Sequence, residues 1–283
     1  MEKKSIILDH DIGTNPDDFF ALLMLLNSSN TNLKLLVSGN NHSIDRALFA
    51  KMILDNQRNS SVESLEGENT GHINFYCDRY IGGFHSDISN NYLERIKNII
   101  DNNEEVVWLV IQGLSNLAKF LKTYPEYIDK FEVIHMGLSI NGADEYIGGG
   151  TNMESDPLAS KYVYELGLKK MKVVGTHTTI NDSIRVSPNS KLYKKIEEGK
   201  TTNHQILFNH LKDYYQRRGI WPALHDPLTA SVALGYNFVS FSIKRVNFDN
   251  FGKYKLGGNT QIMVSDTKIN NPESFMDLME ELI

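Results

Sequence analysis

Two alternating periods constrain this chain more than anything else in it. Short apolar runs at residues 5–8, 33–37, 106–111 and 131–134 have the length and composition of buried strands, and stretches with helical spacing lie between them at 16–26, 44–54 and 115–121. Strands joined through helices must run parallel, and a parallel sheet is covered on both faces, so its strands read as unbroken apolar runs. The pattern predicts an α/β fold: an open, mostly parallel sheet flanked by helices. Pro16 stands where the first helix should start, with Asp17 and Asp18 in its first turn, where the positive end of the helix dipole favours acids.

Beyond residue 150 the same logic gives a helix at 156–166, a strand at 171–174 and a long amphipathic helix at 203–216. Strands at 240–246 and 261–264 and a closing helix at 272–282 follow, while the polar segment 56–72 reads as a surface loop. No internal repeat, low-complexity tract or linker interrupts the chain, so residues 1–283 are expected to form a single domain.

Composition narrows the function. Apolar residues at 41% and charged residues at 23% describe a globular protein with a sizeable core. A net charge of −6 without any Lys/Arg block argues against nucleic-acid binding, since Lys169-Lys170 and Arg217-Arg218 are isolated pairs. Cys77 is the sole cysteine, which excludes an intrachain disulfide, and residues 1–8 lack the apolar core of a signal peptide. The apolar run at 19–26 is far short of the roughly 20 residues a membrane span requires. A cytoplasmic protein with no membrane partner is expected.

The informative stretch is DHDIGTNPDD, Asp9 to Asp18, which places four carboxylates in ten residues where a strand ends and a helix begins. Ligands of open α/β sheets bind at that strand edge. Carboxylates so close repel one another unless protons or a cation intervene, and hard oxygen ligands favour calcium or magnesium. The simpler alternative is a helix start with a solvated acidic turn.

This segment resembles the opening DxDxGxxxDD-like cluster of the inosine/uridine-preferring nucleoside hydrolases. Further matches follow in the family's order: Gly39-Asn40 after the second strand, Leu114-Ser115-Asn116 after a later one, Asn152, Asp156 and Pro157 as NxxxDP, and Leu224-His225-Asp226-Pro227 as LHDP, with Met136 to Leu138 echoing its MGG. The resemblance implies a homo-oligomeric enzyme that hydrolyses the N-glycosidic bond of ribonucleosides, releasing ribose and a free base. It implies Ca2+ held by Asp11, Asp18, Asp226 and the backbone carbonyl of Ser115, with Asp9 in support. Asp17, Asn40 and Asn152 would grip the ribose hydroxyls, and Asp11 would activate a metal-bound water for attack on the anomeric carbon. His225 is the natural acid for the departing base, its alternative being a histidine hydrogen-bonded to a helix start. Tyr214 is expected at the base, with Tyr215, Arg217 and Trp221 as further options.

Two departures from the family bear on substrate. Where many relatives carry a glutamate for the 5′ hydroxyl, this chain has Gly150, leaving Glu154 or Asp144 as substitutes; and the stretch 77–87 has its glycines and His85 in a different order. The run Gly148-Gly149-Gly150 lacks the Lys of a phosphate loop and reads as a turn near the site. Two other readings stay open at this level: a haloacid-dehalogenase-type phosphatase, because DHDIGT resembles DxDGT, and a catalytically idle nucleoside-binding protein on the same fold.

Overall fold

Ile6, Ile7 and Leu8 are all fully buried, which requires cover on both faces of the strand that carries them. The computed structural model, which describes residues 3–283, meets this requirement with a nine-stranded sheet. Its strands are β1 (Lys4–His10), β2 (Thr31–Ser38), β3 (Glu63–Glu66), β4 (Val106–Val110), β5 (Glu132–Met136), β6 (Met171–Val174), β7 (Val239–Phe248), β8 (Tyr254–Leu256) and β9 (Thr260–Ile269), in the order β3-β2-β1-β4-β5-β6-β9-β7-β8. From β3 through β9 in that order all pairings are parallel, and β7 then pairs antiparallel with β9 and β8.

Helices cover both faces because successive side chains of a strand point opposite ways. Ile6 and Leu8 pack with the helices Asp17–Asn27, Ser43–Asn56 and His225–Ala233, while Ile7 and Trp108 pack with the helices Tyr92–Asp101 and Ser115–Thr123. The chain winds one way from β1 to β2 and β3, and the other way to β4, β5 and β6. Connections therefore diverge at β1 and β4, and that divergence opens a crevice beyond their carboxyl ends.

Several elements depart from the sequence reading, among them the helix Tyr92–Asp101 and the strand β8, neither of which it anticipates. The polar segment 56–72 contains β3, whose ESLE sequence hides it; as an edge strand bonded to β2 alone it carries no continuous apolar run. The helix Lys191–Glu198 was not anticipated, since KLYKKIEE buries only Leu192, Tyr193 and Ile196. The expected strand 240–246 runs from 239 to 248, close to its reading, whereas the one expected at 261–264 continues to 269, its later residues being largely open to water and reading as polar.

Candidate active site

The acidic segment leaves β1 at the point of divergence. Asp9, still in the strand, points into the sheet's second core, where Trp108 Nε1 donates to its carboxylate at 3.2 Å, Asn116 Nδ2 at 2.8 Å, and Gln112 Nε2 also donates. Burial pushes its carboxyl up to about 7, despite those hydrogen bonds, which favour the ionised form. Gly13 then turns the chain with φ 101°, and a Cβ there would sit 2.3 Å from the Phe75 ring, so both conformation and space demand glycine.

Every polar group of Asp11 is engaged. Its amide donates to Asp18 Oδ1 at 3.1 Å, its carboxylate accepts from Asn40 Nδ2 at 3.0 Å, and its carbonyl accepts from Arg46. Burial raises its carboxyl, opposed mainly by the Arg46 charge. Asp17 and Asp18 open the helix Asp17–Asn27, Asp226 lies in the first turn of the helix His225–Ala233, and a carboxylate oxygen from each falls within 4.8 Å of the others. Two helix N-termini thus converge on one acidic cluster, which their dipoles favour. Burial pushes Asp17 up to about 7 and Asp18 and Asp226 well above the ordinary range, with the neighbouring carboxylates adding to the rise for Asp18 and Asp226.

A hard divalent cation such as calcium or magnesium fits this donor set: hard oxygens only, densely anionic, and facing a cavity of about 280 Å³ lined by Asp11, Asp17, Asp18, Asn152, His225 and Asp226. The geometric triad includes Asp17, which the resemblance assigned to a ribose hydroxyl, and leaves Asp11 on its flank.

Ser115 requires a correction. It is the first residue of the helix Ser115–Thr123, so its carbonyl belongs to the helical ladder, and its hydroxyl donates to Asp156 Oδ2 at 2.7 Å, away from the cavity lining. Ile111, beyond the end of β4, does line the cavity, and its carbonyl accepts from Asn152 Nδ2 at 3.1 Å. Asn152 also donates to the Met136 carbonyl at 2.9 Å, which holds its amide between two strand ends. Asp156 instead caps the helix Pro157–Glu165 by accepting from Ala159 N at 3.0 Å. Asn40, held at φ 64°, spends its side-chain donor on Asp11 and is absent from the cavity wall.

His225 lines the cavity with Nδ1 hydrogen-bonded to the Thr179 hydroxyl at 2.7 Å. Burial, reinforced by Arg185, holds its pKa down at about 4, so at neutral pH it is an uncharged ring. Tyr214 lines the cavity, whereas Tyr215 stacks on Trp221 with centroids 4.3 Å apart and Arg217 lies 3.9 Å over the Tyr76 ring. Gly150 borders the cavity at φ 89°; neither Glu154 nor Asp144 does, and the Glu154 carboxylate packs against Gly148. His85 lies outside it beside Phe84 and Asp87.

Two arginines escaped the sequence reading. Arg46 is fully buried and donates to the carbonyls of Asp11, Ile12 (3.1 Å), Ile73 (2.8 Å) and Asn41 (2.7 Å) and to Thr14 Oγ1 (2.9 Å), tying the acidic loop to two neighbouring loops. A single Arg in a mixed helix gives no sequence signal for this. Arg218 lines the cavity one helical turn after Tyr214, a spacing that was readable once Tyr214 was singled out.

A crevice beyond the carboxyl ends of a parallel sheet, where its connections diverge, is where α/β proteins of this class bind small ligands, and here it holds a buried acidic cluster. The chain matches the family described as inosine-uridine preferring nucleoside hydrolase over residues 6–275, and it belongs to that family of enzymes. It is 24% identical to a probable ribonucleoside hydrolase of Dictyostelium discoideum over 97% of this chain and 92% of that one. Its fold is that of a plant nucleoside hydrolase (TM-score 0.79, 20% identity, 99% of each chain) and of an inosine-uridine preferring nucleoside hydrolase from Bacillus anthracis (TM-score 0.78, 15% identity, 99% of this chain and 98% of that one). No helix among the described residues is long and apolar enough to cross a membrane.

Proposed function

We propose that the protein hydrolyses the N-glycosidic bond of ribonucleosides with the help of calcium, releasing ribose and a free base. The observation that carries this reading is the convergence of Asp11, Asp17, Asp18 and Asp226 with the fixed amide of Asn152 around one cavity. Asp18 and Asp226 would hold the ion, with Asp11 beside them and the Ile111 carbonyl better placed than that of Ser115 to complete the set. When bound, calcium would supply an anchor for the vicinal ribose hydroxyls and lower the pKa of water nearby.

The remaining work falls to side chains. Asp11, its carboxyl raised by burial, is poised to accept a proton from the attacking water, and Asn40 fixes the carboxylate for that task. Asn152 has both donated hydrogen bonds committed to main-chain carbonyls, which leaves its oxygen to accept from a ribose hydroxyl. Asp17, which lines the same cavity, would accept from the same hydroxyls. Positive charge growing on the sugar ring is stabilised by the surrounding carboxylates, as in other glycoside hydrolysis.

The test is release of reducing sugar from purine and pyrimidine ribonucleosides, with and without chelator, for the intact chain and Asp11→Asn. Loss of activity in both the chelated and the substituted samples is expected; sugar release that survives chelation would overturn the calcium assignment. Residence in the cytoplasm accords with Cys77, whose thiol is buried and pushed up to about 12, a group not suited to disulfide exchange. Assembly as a homo-oligomer rests on the family resemblance alone, and light scattering tests it.

A further inference from the structure

Thr179 closes the short helix Thr176–Thr179, and its three companions pin that helix to β9 and to the loop after β5. The Thr178 hydroxyl donates to the Asp266 carbonyl at 2.7 Å, His177 Nε2 lies 2.8 Å from the Ser265 carbonyl, and Thr176 Oγ1 donates to the Leu138 carbonyl at 3.1 Å. The neighbouring helix His225–Ala233 is fixed where it begins, because Leu224 N donates to the Ile184 carbonyl at 3.0 Å. One side-chain hydrogen bond joins the two helices, between His225 Nδ1 and Thr179 Oγ1 at 2.7 Å.

The direction of that bond follows from its surroundings. Thr179 is fully buried, and among the described residues its hydroxyl has no other partner. A hydroxyl has one hydrogen to give, and a buried donor without an acceptor is destabilising. A protonated Nδ1 would donate to Oγ1 and leave that hydrogen without an acceptor. The hydroxyl therefore donates, Nδ1 is bare, and the ring carries its proton on Nε2. Nε2 makes no hydrogen bond among the described residues, yet it is not sealed in the core: the buried side-chain atoms without a partner are His10 Nε2, Thr31 Oγ1 and Ser160 Oγ. The ring is half-buried, and the open space it borders is the cavity. Asp226 of the acidic cluster follows directly in the chain, so this N–H stands beside the sugar site.

We propose that Thr179 is a positioning residue that locks His225 in its Nε2–H form, so that the ring presents a hydrogen-bond donor to the departing base. This rests on the hydrolase reading above. As the bond from C1′ to nitrogen breaks, its electron pair leaves with the base and spreads over ring nitrogens and exocyclic oxygens, which accept from Nε2–H. The water oxygen bonds to C1′ and its proton passes to Asp11. The base anion then takes a proton from solvent as Asp11 returns one, so charge and protons balance and His225 keeps its own hydrogen.

The experiment uses the full calcium-loaded chain, Thr179→Val, which keeps the shape and removes the hydroxyl, and Thr179→Ser, which keeps the hydroxyl. Each is assayed on inosine and on 4-nitrophenyl β-ribofuranoside, whose nitrophenolate leaves as a stable anion without a donor. On inosine Thr179→Val should lose about 10- to 100-fold in kcat with KM within about threefold, and Thr179→Ser should recover most of the loss. On the nitrophenyl riboside the Val variant should stay within about threefold of the intact protein, which a general defect in folding or sugar binding would not allow. Nitrogen-15 spectra of histidine-labelled protein, assigned with His225→Gln, should show a bare Nδ1 and a protonated Nε2 in the intact chain, and a mixture of both ring forms in Thr179→Val. Equal losses on both substrates, no loss on inosine, or a protonated Nδ1 would overturn the role of Thr179 while leaving the hydrolase reading intact. If the intact chain cleaves neither substrate, the hydrolase reading fails and the role of Thr179 with it.

Discussion

Both edges of the sheet carry buried or half-buried acids, and they treat them in opposite ways. At the amino edge Glu132 lies between Lys4 at 3.1 Å and Lys172 at 2.9 Å. Burial alone would raise its carboxyl, but those two ammonium groups hold it below its ordinary value. At the carboxyl edge Asp11, Asp17, Asp18 and Asp226 have no lysine among them, and burial leaves all of them raised. Arg46 is the cation there, and its donors go to main-chain carbonyls and a threonine hydroxyl rather than to carboxylates. Charge compensated by side chains serves stability, whereas charge left uncompensated accords with the external cation and the cationic transition state proposed above.

The contrast is broken hardest at Asp11. Asp11→Asn should lower kcat about a hundredfold to ten-thousandfold, the usual worth of a positioned base, while Glu132→Gln leaves kcat unchanged. Steady-state sugar release measures both, and comparable losses from the two would erase the distinction. Next in size is Arg46→Met, which strands carbonyls around an emptied site and should cost about 3–5 kcal/mol in urea denaturation. A cost under about 1 kcal/mol would mean that the loops hold without it.

The pH response sharpens the comparison further. Asp9 and Asp17 have folded values raised to about 7 from 3.8, so between pH 6.5 and 8 the folded, metal-free protein sheds protons that the unfolded chain has already lost. Its melting temperature should fall as pH rises through that window. Buried His10 and His135 and the half-buried His225, held down at about 3, 4 and 4, add nothing above their ordinary 6.5 and destabilise only at lower pH. Calcium should raise the melting temperature more at pH 8 than at pH 6.5, because protons compete for the same carboxylates. A calcium increment independent of pH would show that these carboxylates do not hold the ion. The smallest effect belongs to Glu132→Gln, about 0.2–1 kcal/mol, since its lysine partners are partly solvated; calorimetry would detect it.

The fold was legible because periodicity is a local property. Apolar runs at 5–8 and 106–111 can be buried only in a covered parallel sheet, and Pro16-Asp17-Asp18 announces a helix start. The edge strand β3 escaped because one hydrogen-bonded neighbour does not impose an apolar code on ESLE.

The site divides along the same line. Sequence alone determined the acidic segment Asp9–Asp18 and the family's succession of short motifs, since each is a matter of residue type and order. The tertiary structure decided which donors share a cavity: it brought Asp226 to Asp17 and Asp18, turned Ser115 into a helix and away, and held His225 neutral. It also placed Arg46 beneath the acids and Arg218 in the lining of the same cavity. Those outcomes depend on burial and on direction, and neither exists for a side chain until residues far apart in the chain surround it.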